Sequence, residues 1–517
     1  MKNPLVLTFD FGTQSVRASL INNKGDIEAI SKIPYEPVYY SSQPGFAEQD
    51  PNFYFENAKK AVKNLTNKYP ELLPRIVAGT ITTFRDSSVQ LDSSLKPIRK
   101  TILWLDQRMA VGKEKLPAID WLLFKIVGMK ETVVLNRSRT VAHWLKENEP
   151  ETWSKTYKYV NISGYLTYLF TGNLVDSSAS ITGHYPINFK KRVWYKENFM
   201  KARIFGIPRR MCCELVQPGE ELGVIKDDLA EELGLPKGIK LYATGSDKAC
   251  ETIGLNALSN ETAAVSYGTA CTIEVSNKKY HEPEPFLPAY PAATKGWYNM
   301  EVQIYRGYWM LTWFTKQFAS ELVDEAKLQK MAIEDLLNKG LSSIPPGSDG
   351  LVLQPYWGPG LSRPLAKGAI VGFSDVHTRE HLYRAIIEGI AYALREGLEG
   401  IELSQKHFVK GIKISGGGSQ SPAICQITAD VFGLPVSTIQ TFETTSLGAA
   451  ISVFHAIGEF PDITSAMEAM SHVNKTYHPN EVAVQQYDYL YHHAYLKMYP
   501  QLKNINKDLN KFSKRIK

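Results

Sequence analysis

Cysteine is scarce in this chain. Five of its 517 residues are cysteines, namely Cys212, Cys213, Cys250, Cys271 and Cys425. None of them forms a C-x-x-C pair, and the adjacent Cys212 and Cys213 are poorly spaced for a metal site or a disulfide framework. We therefore expect all five thiols to be reduced.

Long apolar runs are lacking as well. No segment approaches the roughly 20 apolar residues that a membrane-spanning helix needs. The apolar segment Leu-Val-Leu-Thr-Phe before Asp10 is too short for a signal peptide and is typical of a first strand. These absences predict a cytoplasmic protein with no membrane partner.

Excess charge is confined to one end of the chain. The formal net charge is +6, and residues 503–517 contain six Lys or Arg and one Asp, which leaves the rest close to neutral. We interpret this segment as a solvated, partly helical tail rather than a contact for a phosphate backbone, and we expect no nucleic-acid partner.

The remaining composition is that of a soluble globular protein. Hydrophobic residues make up 44% of the chain and charged residues 22%, which argues against a disordered protein. The length exceeds what one ordinary core accommodates and indicates two large domains or a few smaller ones.

Residues 5–21 have the pattern of a hairpin, with a strand, a turn at Gly12 and a second strand. Its tip offers backbone N–H groups and a hydroxyl to a phosphate, the Asp10 carboxylate to Mg²⁺, and the Arg17 cation to developing negative charge. No H-R-D loop or G-x-G-x-x-G loop accompanies the tip, which argues against a protein kinase. An ordinary hairpin turn is the alternative.

A related hairpin is predicted at residues 263–275, where an apolar strand, an aromatic-Gly-Thr turn and a second strand follow one another. Two such hairpins half a chain apart suggest a duplicated domain, with a nucleotide in the cleft between the copies. Chance similarity of two hairpins is the alternative.

Asp247 lies on a turn that begins with Gly245, between a strand predicted at 239–244 and a helix predicted at 249–258. A carboxylate at such a junction is suited to catalysis. A helix cap is the alternative, because Asp is among the preferred capping residues.

Polar residues also follow the strands predicted at 76–83, 89–91 and 101–105, and Arg85-Asp86 follows the first of these. Strand ends are where α/β folds place contacts with small ligands. A guanidinium beside a carboxylate suits a polyhydroxylated molecule, and a surface ion pair is the alternative.

A glycine-rich segment lies near the end of the second half. Residues 411–422 run from a strand through three glycines towards a helix at 424–432, and a long helix at 379–403 precedes them. Glycines let the backbone approach a flat ligand, and a helix N-terminus favours phosphate. The pattern is neither a Walker A nor a Rossmann motif, so it favours a nucleotide site of another kind.

Taken together, these segments resemble the FGGY carbohydrate kinases. Seven motifs occur in that family's order: Asp-Phe-Gly-Thr-Gln-Ser-Val-Arg (10–17), Glu-Gln-Asp-Pro (48–51), Trp-Leu-Asp-Gln-Arg (104–108), Gly-Ser-Asp-Lys-Ala (245–249), Tyr-Gly-Thr (267–269), Gly-Gly-Gly-Ser (416–419) and Glu-Thr-Thr-Ser-Leu-Gly-Ala-Ala (443–450). The family's helical signature is also visible from Gly368 to Glu388, with Phe373 in place of a smaller aliphatic residue. As a set the motifs are highly specific.

The resemblance implies an α/β protein with two ribonuclease-H-like, actin-like ATPase domains, at residues 1–256 and 257–480, and a basic C-terminal helix or tail at 481–517. It also implies that ATP and Mg²⁺ bind in the cleft and that the γ-phosphoryl group passes to a sugar or polyol. The matching site residues are Asp247 as catalytic base, Asp10 near the metal, Thr13, Gln14, Ser15 and Arg17 in the first phosphate hairpin, Gly268 and Thr269 in the second, Gly417, Gly418 and Ser421 at the adenosine, and Arg85, Asp86, Trp104 and Asp247 at the acceptor.

The signals for the acceptor conflict. Residues 83–87 (Thr-Phe-Arg-Asp-Ser) resemble the Arg-Glu pair of glycerol kinases and autoinducer-2 kinases, whereas residues 427–436 resemble the xylulokinase branch. We expect a ketopentose such as xylulose, with glycerol or autoinducer-2 as alternatives. A sugar sensor without turnover, an actin- or chaperone-type ATPase and a homodimer stay open. Residues 305–309 (Tyr-Arg-Gly-Tyr-Trp) depart from the small residues that the family has near the nucleotide.

Overall fold

The computed structural model describes residues 3–113, 115–284, 287–357, 360, 363 and 365–515, except for the side chains of 513–515. Two mixed β-sheets, one in each half of the chain, carry helices on their faces. The predicted α/β class is confirmed. Within the described residues, no helix combines the length and the apolar character that crossing a membrane requires.

The first half contains, in chain order, β1 (Leu5–Phe11), β2 (Ser15–Asn22), β3 (Ile27–Pro34), β4 (Glu48–Gln49), α1 (Pro51–Lys68), β5 (Ile76–Thr83), β6 (Ser88–Leu91), β7 (Thr101–Ile102), α2 (Ala118–Ile126), α3 (Lys130–Arg139), α4 (Val141–Asn148), α5 (Pro150–Lys155), β8 (Lys158–Asn161), α6 (Ile162–Thr171), β9 (Val175–Ser177), β10 (Ile187–Asn188), β11 (Val193–Trp194), α7 (Met200–Phe205), β12 (Glu214–Val216), β13 (Glu221–Val224), α8 (Asp227–Leu233), β14 (Lys240–Tyr242) and α9 (Asp247–Gly254).

The second half contains β15 (Thr262–Tyr267), β16 (Cys271–Asn277), β17 (Tyr290–Pro291), β18 (Tyr298–Ile304), α10 (Trp309–Phe318), α11 (Leu322–Leu328), α12 (Ile333–Lys339), β19 (Val352–Gln354), β20 (Ala369–Val371), α13 (Arg379–Gln405), β21 (Gly411–Gly416), α14 (Pro422–Phe432), β22 (Val436–Ile439), α15 (Thr444–Ala456), α16 (Ile463–Met470), β23 (Val473–Tyr477), α17 (Glu481–Leu490) and α18 (Leu496–Arg515).

The two sheets have the same strand order. The first runs β3-β2-β1-β5-β14-β13, and the second has β18-β16-β15-β21-β22-β23 with β17 added at one edge. In the first sheet, β1 pairs antiparallel with β2 and parallel with β5, β5 pairs parallel with β14, and β14 pairs antiparallel with the edge strand β13. In the second sheet, β15, β16, β21, β22 and β23 pair in the same way. The second sheet therefore repeats the first, as the two similar hairpin patterns suggested.

Each half has its own apolar core. β1 is buried along its whole length between helices on both faces, which explains its nearly continuous apolar sequence. The core of the second half packs around the long helix α13 and β15. The apolar residues of α13 recur at helical spacing and lie in this core, so the sequence pattern correctly predicted a core face for this helix.

A third core lies between the two sheets and is built on helices α9 and α15. The two helices approach closely at Gly254 and Gly448. A Cβ atom on Gly448 would overlap the carbonyl oxygen of Cys250, and one on Gly254 would overlap that of Thr444. Glycine is therefore required at this crossing, which holds the start of α9 in place.

Several boundaries differ from those predicted. The helix expected at 249–258 is α9, Asp247–Gly254, and the strand expected at 101–105 ends at Ile102. The domain boundaries stay a prediction, although buried residues beyond the one at 480 belong to the second core: Tyr487, Tyr491, Tyr495 and Met498. Residues 503–512 of the basic segment lie in α18, where most of their side chains are exposed and Asn506 is buried.

Candidate active site

A cleft with a volume of about 1470 Å³ opens between the two halves. The predicted site residues that line it come from both halves and are Thr13, Gln14, Ser15, Arg17, Arg85, Asp86, Trp104, Asp247, Gly268 and Thr269. Asp10 lies beneath the first hairpin with 5% of its surface exposed. Gly417, Gly418 and Ser421 lie outside the cleft lining.

The first hairpin closes through a hydrogen bond from the backbone N–H of Gly12 to the carbonyl of Ser15 (3.0 Å). Asp10 and Arg17 are paired residues of β1 and β2, and the Arg17 Nη1 to Asp10 Oδ2 distance is 3.5 Å. Arg17 Nε also lies 2.7 Å from Oε2 of Glu443, which directly precedes α15. The hairpin tip is thereby tied to the second half of the chain.

Burial raises the pKa of Asp10 to about 7, against the opposing effect of Arg17. The neighbouring carboxylates of Glu443, Asp247 and Glu251 raise it further. Asp10 thus lies in an acidic surrounding that contains too little positive charge to neutralise it, which is the environment that a bound cation stabilises.

Asp247 is the first residue of α9, and the cap of that helix is Ser246, whose hydroxyl accepts from the N–H of Ala249. The helix-cap alternative for Asp247 is therefore wrong. Its Oδ1 accepts from the backbone N–H of Lys248 (2.8 Å) and lies 3.9 Å from Nε of Arg85. Burial raises the pKa of Asp247, while Arg85 and Lys248 oppose that rise.

Lys248 lies beside Asp247 and was not singled out from the sequence. Its ammonium donates to Glu251 Oε2 and to Ser266 Oγ, each at 2.5 Å. Burial disfavours the ammonium, but Glu251 and Asp247 together raise the pKa of Lys248 above its ordinary value. Glu251 in turn accepts from Ser415, at the end of β21. The cleft floor is therefore a network that joins α9 to the second sheet.

Arg85 and Asp86 do not pair with each other in this network. Arg85 donates through both terminal nitrogens to the Glu301 carboxylate on β18, at 2.6 and 2.9 Å. Glu301 is the strand partner of Glu274, and burial together with the Glu301 charge raises the pKa of Glu274 well above its usual range. Arg85 thus offsets negative charge at the cleft floor. Because its partner is Glu301 and not Asp86, the alternative of a surface ion pair between Arg85 and Asp86 is wrong.

Asp86 pairs instead with His184. Its Oδ1 accepts from the backbone N–H of His184 at 3.0 Å, and its Oδ2 lies 2.6 Å from Nδ1 of the same residue. Burial opposes ionisation, but the His184 interactions lower the pKa of Asp86 below its usual value. Asp86 is therefore an ionised carboxylate whose two oxygens are both engaged.

Trp104 is tied to the first hairpin, because its indole N–H donates to Thr13 Oγ1 at 3.1 Å. Its backbone N–H donates to Ser87 Oγ at 3.0 Å. The Trp104 ring and the hairpin tip are thus held in a fixed relation.

The glycine-rich segment lies behind the second hairpin. The ring of Tyr267, which precedes Gly268, stacks on Tyr308 with ring centres 4.7 Å apart. A Cβ atom on Gly418 would come within 2.6 Å of the Tyr308 ring, so glycine is required there. Ser421 caps α14 by accepting from the N–H of Ile424.

Several residues of the network were not predicted as site residues, among them Lys248, Glu443, Glu301 and His184. Lys248 and Glu443 lie within quoted motifs, so attention to charged neighbours would have found them. Glu301 and His184 lie 216 and 98 residues from their partners Arg85 and Asp86. No local pattern marks them, because their pairing arises from tertiary structure alone.

Comparison with known proteins places this geometry in a family. Residues 5–254 match the N-terminal domain, and residues 263–457 the C-terminal domain, of the FGGY family of carbohydrate kinases. An uncharacterized sugar kinase of Escherichia coli is 32% identical over 329 residues, 63% of this chain and 67% of that protein. A xylulose kinase of Staphylococcus epidermidis is 28% identical over 516 residues, 98% and 99% of the two chains. A gluconokinase of Bacillus subtilis is 27% identical over 492 residues, 93% of each.

A solved structure shares the architecture. The xylulose kinase from Lactobacillus acidophilus superposes with a TM-score of 0.81 at 22% identity, covering 98% of this chain and 100% of the other. Two like domains around a cleft form the actin-like, ribonuclease-H-like fold, and the match to both kinase domains makes the chain an ATP-dependent phosphotransferase. The chain belongs to the FGGY family of carbohydrate kinases and is a sugar kinase. The actin- or chaperone-type alternative is excluded.

Proposed function

We propose that this sugar kinase transfers the γ-phosphoryl group of ATP to a hydroxyl of a ketopentose such as xylulose. The observation that carries the reaction is the position of Asp247, half-buried in the cleft that both Gly-Thr hairpins also line. The xylulose kinases that match along the whole chain support the ketopentose.

Asp247 is the proposed general base. It removes the proton from the attacking hydroxyl as the oxygen bonds to the γ-phosphorus and the bond to the bridging oxygen of ADP breaks. Its raised pKa makes it a better proton acceptor than an ordinary aspartate. The Arg85 guanidinium, fixed by Glu301, holds the Asp247 carboxylate ionised and oriented. We thus assign Arg85 to the base as well as to the acceptor side of the cleft.

The phosphates are proposed to lie between the hairpins, where backbone N–H groups and hydroxyls of Thr13, Gln14, Ser15, Gly268 and Thr269 can bind them. Arg17 adds a positive charge beside the first tip. On the far side of the second hairpin, Gly417, Gly418 and Ser421 are proposed to bind the adenosine. The glycine-rich turn that leads into α14 supports this assignment, because backbone without side chains can approach a flat ligand closely.

Mg²⁺ is proposed to bind through Asp10. No group of three or more metal-ligating side chains occurs among the described residues, but one carboxylate with phosphate oxygens and water is an ordinary Mg²⁺ site. The buried, acidic surrounding of Asp10 fits a cation. Bound Mg²⁺ would neutralise charge on the phosphates during transfer.

The acceptor is proposed to lie beside Asp247, on the part of the cleft wall that Arg85, Asp86 and Trp104 form. The indole held by Thr13 gives this region a rigid apolar wall. The domain boundaries at 256 and 480, the cytoplasmic location and the homodimer stay predictions from the sequence.

The test is ADP release from ATP with D-xylulose, D-ribulose, D-gluconate, glycerol and dihydroxypentanedione, the autoinducer-2 precursor, as acceptors. We expect the highest kcat/KM with D-xylulose. A higher kcat/KM for gluconate, glycerol or the dione would overturn the ketopentose assignment and leave the kinase class intact. If none of the five acceptors is phosphorylated, the result would instead favour a sugar sensor.

A further inference from the structure

The contact between Asp86 and His184 is built with unusual backbone geometry on both sides. Asp86 has a φ of +52°, a left-handed conformation that costs energy for a residue with a side chain. Gly183 has a φ of +71°, and a Cβ atom there would overlap the Asp86 carboxylate. Both departures bring the carboxylate onto the N–H and ring of His184, so the fold maintains this contact at a cost.

The contact determines which imidazole nitrogen carries a proton. An ionised carboxylate only accepts hydrogen bonds, so Nδ1 of His184 must donate to Asp86 Oδ2 at 2.6 Å. In a neutral imidazole the other nitrogen, Nε2, then holds a lone pair. Within the part of the chain that the structure describes, no residue hydrogen-bonds to Nε2. The His184 side chain is 20% exposed and lines the cleft.

The two cations described above at the cleft floor are already paired. Arg85 is engaged by Glu301, and Lys248 by Glu251. No described residue engages Nε2 of His184, so in the neutral imidazole this nitrogen is a hydrogen-bond acceptor that a ligand in the cleft can use. Because a neutral imidazole with an ionised Asp86 carries one negative charge, it favours a neutral hydroxyl over a carboxylate as partner.

We propose that His184 is an acceptor-binding residue whose Nε2 accepts a hydrogen bond from a hydroxyl of a neutral sugar, and that Asp86 is a positioning residue that acts through His184. This inference rests on the proposed function and deepens it. It assigns a role to a residue outside the sequence motifs, and it distinguishes neutral ketoses and polyols from aldonates at the same site.

The test is a double-mutant cycle on the steady-state kinetics with D-xylulose and MgATP. His184→Ala should raise the KM for D-xylulose by about ten-fold, the loss expected for one hydrogen bond, with the KM for ATP unchanged. Asp86→Asn should raise it similarly, since the amide donates to Nδ1 and leaves Nε2 protonated. The double variant should be no worse than His184→Ala alone, because Asp86 acts only through the imidazole.

Two further variants separate binding from structure. In His184→Gln the amide oxygen can reach the Nε2 position, so part of the D-xylulose affinity should return. His472→Gln, at an exposed histidine of the second half outside the cleft, should leave both KM values unchanged.

Three outcomes would overturn the inference. One is additive effects of Asp86→Asn and His184→Ala, which would mean that Asp86 binds the acceptor directly. Another is a fall in kcat at unchanged KM for D-xylulose, which would mean that His184 transfers a proton. The third is an equal rise in both KM values. If the wild type phosphorylates a different acceptor, the ketopentose proposal fails and the cycle is run with that acceptor: a neutral one with a non-additive cycle supports the inference, and D-gluconate as the best acceptor overturns it.

Discussion

Asp247 combines three features of a general base: a place in the cleft, a raised pKa and a guanidinium 3.9 Å away that keeps it ionised. Asp247→Asn preserves shape but cannot accept a proton. We expect kcat to fall by about 10²–10⁴-fold with MgATP affinity nearly unchanged, since a positioned base contributes about that factor. Stopped-flow kinetics and calorimetric ATP titration would measure both.

Asp227→Asn is a matched control, because Asp227 is also the first residue of a short helix but is exposed. It should leave kcat unchanged. Near-normal kcat in a folded Asp247→Asn protein would contradict the assignment and leave the base unidentified.

Asp10 should make stability depend on pH. Its pKa of about 7 in the folded protein exceeds the ordinary value of 3.8, so the folded state holds a proton that the unfolded state releases. The wild type therefore loses stability as the pH rises from about 4 to about 7. Asp10→Asn cannot ionise, and its Tm relative to the wild type should increase between pH 5 and pH 8, as scanning calorimetry would show.

MgATP should reduce that Tm difference at pH 8, because a bound cation stabilises the ionised Asp10 carboxylate of the wild type. Glu214→Gln, at an exposed carboxyl group of β12, is the control and should show no such trend. A Tm difference that is constant with pH would refute the raised pKa of Asp10.

At this scale the sequence indicated the residues that we propose to contact ligands, but it did not indicate the partners that hold them in place. Asp10, Arg17 and Asp247 lie in short motifs whose local geometry is set by a few neighbouring residues. The partner of Arg85 lies on β18 and that of Asp86 in the loop before β10. Such pairings depend on how distant strands are placed, and no local pattern encodes that placement.

The crossing of α9 and α15 allows a test of how one element positions another. Gly448→Ala would place a methyl group against the Cys250 carbonyl, and backbone cannot move aside as a flexible side chain can. We expect a loss of about 1–3 kcal/mol in stability, seen as a lower Tm. We also expect a lower kcat, because α9 carries Asp247.

Gly400→Ala is the matched control, since Gly400 lies within α13 and an added Cβ would meet only the carbonyl of Pro283, at 3.6 Å. Alanine favours a helix over glycine by about 1 kcal/mol, so Tm should hold or rise. Equal changes in Tm and kcat in the two variants would mean that the close crossing of α9 and α15 does not contribute to stability or to the position of Asp247.

Elements with strong periodicity were predicted almost to the residue. β5 is Ile76–Thr83 as expected, and α13 ends two residues beyond its predicted end. Boundaries failed where side chains rather than periodicity decide them. Ser246 caps α9, so the helix begins at Asp247. The segment predicted as a basic tail contributes three buried tyrosines to the second core: Tyr487, Tyr491 and Tyr495. The basic residues at the end of that segment had suggested a solvated tail.

For the whole molecule we expect the two halves to close on their ligands. A cleft of about 1470 Å³ is large enough to hold water beside the proposed substrates, and phosphoryl transfer to a sugar requires that water be excluded. D-xylulose together with a non-hydrolysable ATP analogue should therefore lower the radius of gyration measured by small-angle scattering.

Asp247→Asn should close in the same way, since binding precedes the chemistry, whereas D-xylulose alone should have a smaller effect. Unchanged scattering with both ligands shown to be bound would contradict hinge closure.

The duplication of domains was predictable from two short hairpin patterns. The contacts across the cleft floor were not, because they join segments far apart in sequence.

The buried tyrosines near the C-terminus also bear on how the chain is made. Domains fold as units, N-terminal first, while the polypeptide is still being synthesised. The first sheet is complete once residue 242 has been added, but the second core needs Tyr495 and Met498, more than 250 residues further along the chain. The second core therefore cannot be completed before these residues have been synthesised, and a chain cut before Tyr487 would leave it unfinished.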